Sequence, residues 1–209
     1  EALELLISSA EKVAIEKGYN VISVDIEDYK KKHIPTHKID ILEFDYKQYP
    51  QDFFSIIWSS PPCIYYSALQ NPWIGRKKKD GEIFTYEKLN ILKKESDKLV
   101  KKTLEIINYF NPSLYFIENP NGSDLKNRNL LDDIPYYVVS YCMYGFKYRK
   151  NTRIWTNKEN FIPKKCKRDC GNMIGRKHIL SCSINTGGGG SNRLPRYKIP
   201  QQLIRDLLE

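Results

Sequence analysis

The chain has no run of about eighteen apolar residues, so no membrane-spanning helix is expected. Its opening, Glu1-Ala2-Leu3-Glu4, carries no basic cluster of the kind that begins a secretory leader. Histidine is scarce. His33, His37 and His178 are the only three, and none lies in a strand-tip context beside a cysteine, which weighs against a Cys-His hydrolase. Also missing is the glycine-rich turn that a nucleotide-binding βαβ unit places between its first strand and first helix. The chain begins inside that helix. It is therefore expected to be truncated at the N-terminus, with a strand and loop supplied from another chain or a permuted segment as the alternative. The late glycine run at 187–190 leads into Arg193-Leu194-Pro195 rather than a helix, so it is a poor phosphate cradle. There is no internal repeat. Five cysteines, an odd number, fit a reducing compartment in which thiols serve chemistry or metal.

At 209 residues the chain has room for one core of ordinary size and a small insertion. Lys and Arg number 34 against 25 Asp and Glu, a formal charge of +9. That balance suits a polyanionic partner such as nucleic acid, although charge alone does not separate this from a soluble basic protein. Fifteen tyrosines offer stacking surfaces as well as core.

Two stretches share one design. Phe53-Phe54-Ser55-Ile56-Ile57-Trp58 reads as a buried strand and runs into Ser59-Ser60-Pro61-Pro62-Cys63. Ser113-Leu114-Tyr115-Phe116-Ile117 is a second apolar strand, ending in Glu118-Asn119-Pro120-Asn121-Gly122. Proline fixes φ and lacks an N–H, so each strand ends in a stiffened polar tip. Open α/β sheets place their chemistry at such tips. Cys63 and Glu118 would then face one crevice as nucleophile and proton donor. The plainer alternative is a strand-ending turn with a buried cysteine.

Residues 2–17 have apolar positions at helical spacing and stop at Gly18; Val21-Ile22-Ser23-Val24 is a short strand with Asp25 at its tip. An acid there suits ribose hydroxyls, or merely caps a helix, and Asp28 competes with it. Lys30-Lys31-Lys32-His33 is a solvated turn, followed by the short apolar stretch Lys38-Ile39-Asp40-Ile41-Leu42. Residues 65–82 are aromatic and basic (Tyr65, Tyr66, Trp73, Arg76, Lys77, Lys78, Lys79), either a loop closing over nucleic acid or a solvated charge run. Residues 84–110 form a long amphipathic helix, and 123–131 a short one. A hairpin joins Tyr136-Tyr137-Val138-Val139-Ser140-Tyr141 to Thr152-Arg153-Ile154-Trp155. In the basic region 156–192, Cys166, Cys170, His178 and Cys182 have spacing that could hold zinc, or are unlinked thiols. Pro200 starts a last helix, 201–208.

Pro61-Pro62-Cys63 followed by Glu118-Asn119-Pro120 resembles the cytosine C5 DNA methyltransferases, in particular their compact phage- and virus-type members. Pro120 stands where Val is commonest. The resemblance spans most of the chain. It implies a Rossmann-like α/β methyltransferase fold, with a mostly parallel sheet, a C-terminal antiparallel hairpin and a small insertion. The expected division is a catalytic core at 1–155, a target-recognition insertion at 156–192 and a closing segment at 193–209. It implies S-adenosylmethionine as methyl donor, with Asp25, Asp40, Pro61 and Pro62 at its site. It implies double-stranded DNA as partner, a monomer, and the cytoplasm of the cell or of a viral host. Cys63 would add to C6 of a flipped cytosine, Glu118 would hold N3, and Asn119 would orient the loop. The family's Gln-Arg-x-Arg hairpin is matched loosely, the Gln being absent; Arg153 is the first candidate to fix the base and Arg149 the second. Alternatives are a methyltransferase-like DNA-binding or regulatory protein without catalysis, and an amino-methyltransferase. Cys63 argues against the last, which uses an aromatic after Pro-Pro.

Overall fold

A computed structural model of the protein describes residues 9–26, 35–78, 81–180 and 198–209. The expectations that fall on residues 2–8, Asp28, the basic turn 30–33, Lys79, Cys182 and the glycine run lie outside the described residues. In chain order the elements are α1 (Ser9–Glu16), β1 (Val24–Asp25), β2 (His37–Lys38), β3 (Ile56–Ser59), α2 (Tyr86–Phe110), β4 (Leu114–Pro120), β5 (Tyr136–Ser140), β6 (Asn151–Thr156), β7 (Met173–Ile174), β8 (Lys177–His178) and α3 (Gln201–Leu208). Short 3₁₀ helices lie at Tyr46–Gln48, Ala68–Trp73, Asp124–Asn127 and Tyr141–Tyr144. No described helix is long and apolar enough to cross a membrane.

The fold is α/β with a mixed sheet, and it divides into two compact units. The sheet unit comprises Asp45–Val138 and Thr152–Lys158. The terminal unit comprises Glu1–Phe44, Val139–Asn151 and Glu159–Glu209.

The sheet has strand order β3-β4-β6-β5. β3 and β4 pair in parallel, Ile56 opposite Leu114 through Ser59 opposite Ile117. A parallel pair needs a crossover, and α2 supplies it. Thr85 caps the helix, its Oγ1 accepting the Lys88 N–H at 3.1 Å, and Glu87 complements the positive end. Asn111 ends it in the left-handed region, φ 45°, donating its N–H to the Ile107 carbonyl. Leu89, Val100, Thr103, Ile107 and Phe110 are the buried stripe, as the periodicity predicts. Val100 and Ile107 join Tyr66, Ile117, Leu125, Leu131 and Trp155 in one apolar cluster. β6 runs antiparallel to β4, with Glu118 opposite Ile154 and Asn119 opposite Arg153.

In the terminal unit β1 and β2 pair in parallel, Val24 with His37 and Asp25 with Lys38. The strand expected from Val21 is shortened to its last residue plus Asp25. Instead of a longer ladder, Ser23 and Thr36 exchange two backbone-to-hydroxyl bonds of 3.2 and 3.1 Å ahead of the pair. α1 packs on α3, burying Val13, Leu203, Ile204 and Leu207, with Arg205 paired to Glu16.

Two polar residues also lie on the buried side of α2, Ser96 and Asp97. Arg128 grips both Asp97 oxygens, and Tyr66 donates its hydroxyl to Asp97 Oδ1 at 2.8 Å. Burial by itself would raise the Asp97 carboxyl, but the Arg128 and Tyr66 hydrogen bonds outweigh it and hold the group below its ordinary range. Asp97→Asn should therefore lower unfolding free energy at neutral pH by on the order of 3 kcal/mol, because it leaves Arg128 half-buried and unpaired. A depressed folded value means stability present above the unfolded value of about pH 4 and lost as pH falls through the folded one. Urea titrations should show the gap between wild type and Asp97→Asn closing below about pH 4; a gap that stays constant in acid would refute the ion pair's role.

Candidate active site

The parallel register of β3 and β4 ends both strands at one edge of the sheet. The Pro61-Pro62-Cys63 loop leaves β3 where Glu118 and Asn119 close β4. These two segments are joined directly: Asn119 Nδ2 donates to the Pro61 carbonyl at 2.8 Å, in a buried setting. Asn119 is fully buried and Glu118 is 6% exposed. Pro61 has no N–H and cannot add a ladder bond here, so a side-chain amide takes the carbonyl that a continuing strand would have used.

Three residues past Cys63 the loop is fixed again. Tyr66 is buried, bonded to Asp97 through its hydroxyl, and its carbonyl accepts the Asp124 N–H at 2.8 Å. Burial first, and then the Asp97 bond, push its hydroxyl up, so it stays neutral. Cys63 is thus carried on the short span 61–66, anchored at both ends, and is itself half-buried. It lines a cavity of about 190 Å³ with Ser67, Ala68, Leu69, Pro120, Gly122 and Ser123. Ser67 and Ser123 turn their hydroxyls back onto the Leu69 and Leu125 N–H groups and start the two 3₁₀ helices that wall this cavity. A polar hollow of about 300 Å³ shares Ser67, Ala68, Gly122 and Ser123 with it and adds Lys93, Lys126 and Asn71. Lys93 pairs with Asp124 at 2.6 Å.

Alternation along β4 sends Glu118 and Asn119 to opposite faces. Glu118 shares its face with Phe116 and Ile154, and Trp58 stacks against Phe116 there at 5.1 Å between ring centroids. Arg153 shares the Asn119 face. Its Nε donates to Asn121 Oδ1 at 3.3 Å, and its guanidinium lies over Tyr136, 3.9 Å from the ring centroid. The expected Cys63, Glu118, Asn119 and Arg153 therefore all lie at or beside one strand edge, with Arg153 bracing the turn after Glu118-Asn119-Pro120.

The other expected residues belong to the terminal unit. Arg149 is exposed and bonds Asn151 Oδ1 at 3.0 Å. Asp25 ends β1, and Asp40 caps its own turn, Oδ1 accepting the Leu42 N–H at 2.9 Å. Cys166, Cys170 and His178 come together, and Cys142 completes the group: one ligand atom from each lies within 4.8 Å of all the others. These four side chains could hold a metal ion. Burial raises the Cys166 thiol, but the Arg168 N–H and the His178 and Cys142 hydrogen bonds outweigh it and lower it. Cys142 is pushed up by burial and by the two sulfurs beside it.

Three residues escaped the sequence reading. Tyr66 reads there as a nucleic-acid-facing aromatic, but it is an internal anchor; only the spacing to a helical Asp inside an apolar stripe hinted at this. Cys142 lies far along the chain from Cys166 and carries no local motif. Thr152 is fully buried opposite Pro120, on the Glu118 face, with its hydroxyl unpaired among the described residues, as is Asn119 Oδ1. Nothing in Asn-Thr-Arg signals that.

No protein-family model matches the chain. It is 34% identical over 204 residues to the "Probable DNA (cytosine-5)-methyltransferase" of Frog virus 3 (isolate Goorha), across 92% of this chain and 90% of that protein. Among solved structures it is similar to a "putative DNA modification methyltransferase encoded within prophage" from E. coli, at 15% identity and a TM-score of 0.46. That alignment covers 75% of this chain and 48% of the other, so the chain spans about half its length.

Asn119→Ala removes the hydrogen bond that ties the two strand tips and leaves the Pro61 carbonyl buried without that donor. Stability should fall by about 1–3 kcal/mol, and alkylation of the Cys63 thiol should speed up as its loop loosens. An unchanged urea midpoint with an unchanged alkylation rate would show that the amide does not hold the loop.

Proposed function

Since the chain belongs to the DNA (cytosine-5)-methyltransferase family, we propose that it methylates C5 of a cytosine drawn out of double-stranded DNA, with Cys63 as the nucleophile. One observation carries this reading: the Asn119–Pro61 hydrogen bond, which ties the cysteine loop to the tip that bears Glu118. The target atom is unreachable inside a duplex, so the base must leave the stack.

Cytosine C5 is a weak nucleophile. Once Cys63 is a thiolate its Sγ bonds to C6, and the ring's electron pair shifts toward N3. The Glu118 carboxyl donates a proton there, neutralising the adduct and leaving C5 enamine-like. After methylation the C5 proton passes to a base or water, the N3 proton returns to the Glu118 carboxylate, the C6–S bond breaks, and Cys63 departs with the electron pair. Asn119 keeps the thiol's loop in register with Glu118. Arg153 retains N–H groups beyond the Nε that engages Asn121, and these suit the O2 edge of the base or a phosphate. Arg149, exposed and cationic, is the second candidate for phosphate. Exposed Leu69 and Trp73, with Arg76 stacked on Trp73 and Lys77 and Lys78 beyond, offer apolar and basic surface close in sequence to Cys63, suited to DNA.

S-adenosylmethionine, the donor the family implies, supplies an electrophilic methyl group. Asp25 ends a strand in a parallel pair, a position suited to ribose hydroxyls. Asp40 fits less fully, because one oxygen is committed to Leu42. Pro61 offers its ring and the exposed Pro62 its surface. The family reading also leads us to a Rossmann-like fold, a monomer, and action in the cytoplasm, of the cell itself or of a viral host. Zinc at the Cys/His cluster would complete the set in a structural role, since four protein ligands leave no open position for chemistry.

A duplex carrying 5-fluorocytosine, incubated with the full chain and donor, should yield a covalent adduct that peptide mass spectrometry places on Cys63. Cys63→Ala should give none, and Glu118→Gln should form it about 10²–10⁴-fold more slowly. Donor-dependent methylation without any adduct at Cys63, or no methylation at all, would overturn the mechanism.

A further inference from the structure

The segment 159–180 has almost nothing to fold around. Among its residues only Phe161 and Cys166 are buried. Its regular structure is a pair of two-residue strands, β7 and β8, joined at Gly175. It carries Lys164, Lys165, Lys167, Arg168, Arg176 and Lys177 against Glu159 and Asp169. A stretch this polar and this cationic does not order itself by hydrophobic burial. Yet it holds a tight shape. Arg168 adopts φ 74°, unfavourable for a side chain with a Cβ, and Gly171 adopts φ 74°, so the chain coils around Cys166 and Cys170. The Arg168 N–H points at Cys166 Sγ, 3.3 Å away. Cys166 N donates to Ser140 Oγ at 3.1 Å, which draws the coil to the turn that bears Cys142. On the far side β8 presents His178, whose Nε2 lies 3.4 Å from Cys166 Sγ.

We propose that Cys142, Cys166, Cys170 and His178 bind one zinc ion, that Cys142 and not Cys182 is the fourth ligand, and that this ion orders residues 159–180. The proposal deepens the structural-metal reading above and is independent of the chemistry at Cys63. Zinc–sulfur bonds of about 2.3 Å and a zinc–nitrogen bond of about 2.0 Å put tetrahedral ligand atoms roughly 3.4–3.8 Å apart. The Cys166–His178 distance falls in that range, and the 4.8 Å spread of the whole set needs only a small contraction. None of the three cysteines is in a disulfide. Soft sulfur with one imidazole favours zinc over magnesium or calcium. Three thiolates around Zn²⁺ leave one net negative charge, to which the surrounding lysines and arginines are complementary. The N–H of Arg168 aimed at Cys166 Sγ is the outer contact that such a ligand requires.

The test is metal content by mass spectrometry on the full chain, purified without added metal or affinity-tag histidines. Wild type should carry one zinc per chain, and so should Cys63→Ser and Cys182→Ser. Cys142→Ser and Cys166→Ser should each lose it. Because a buried Cys→Ser change could also disturb folding, two measurements on unmutated protein stand beside the variants. A thiol reagent should modify two of the five cysteines until a chelator exposes three more, and chelation should open protease cleavage within 159–180. Cobalt in place of zinc should show the intense visible bands of tetrahedral thiolate coordination. Wild type without stoichiometric metal would overturn the site. Loss of zinc in Cys182→Ser with retention in Cys142→Ser would keep the zinc and overturn the ligand set. The adduct at Cys63 reports separately on methyl transfer, so neither outcome can be mistaken for its failure.

Discussion

The sheet unit depends on how a chain that cannot continue its strand is held in place. Pro61 and Pro62 take the backbone out of β3 with no N–H to offer, and the Pro61 carbonyl needs a donor. Asn119 provides it from the neighbouring strand. A second restraint, Tyr66 on the Asp97–Arg128 pair, fixes the other end of the same span. Between these points the backbone has little freedom, and the entropy of placing a thiol has been lost on folding rather than on binding. Asp97 belongs to α2, which also fills the core beneath β4, so the helix that completes the parallel connection also holds the loop.

The strand edge gathers polarity that a core would not tolerate. Glu118, Asn119 and Thr152 are buried within a few residues of one another along β4 and β6, and Asn119 and Thr152 each retain an unpaired oxygen among the described residues. Unpaired buried oxygens are uncommon in folded proteins and each carries a cost. They are grouped at the edge where the Cys63 loop departs, which sets two unpaired acceptors beside the proposed nucleophile. Arg153 fits this picture. It is stacked and bonded, yet with donors left over.

Much of this was legible beforehand, because the residues that end strands act locally. Proline after an apolar run limits φ whatever surrounds it, and so the tips at Cys63 and Glu118 could be read from sequence. The long helix could too, since its stripe repeats over about seven turns and its Thr85 and Asn111 ends obey capping chemistry. What could not be read was non-local. Tyr66 has the same composition context as Tyr65, and only the placement of Asp97 on the inner side of α2 turns it inward. Cys142 sits in a hairpin connection with no partner nearby in sequence. The strand at Val21 looked longer than it is because β-branched residues advertise strands even where hydroxyl-to-backbone bonds displace the ladder. Whether Arg153 lies beside Asn119 or beside Glu118 is set by the β4–β6 register, which composition does not encode.

Neither compact unit is a continuous stretch of polypeptide. The chain passes from one to the other after Phe44, Val138, Asn151 and Lys158, once within β5 and once within β6. No single cleavage or gene boundary can therefore separate them, and neither can be inherited, swapped or expressed as a simple block. Recombination that exchanges the terminal unit between relatives would have to replace the connection 139–151 together with the segment after Lys158, as well as 1–44. Cys142 travels with the first of these and Cys166, Cys170 and His178 with the second, so a mismatched graft would split the four-residue cluster one to three.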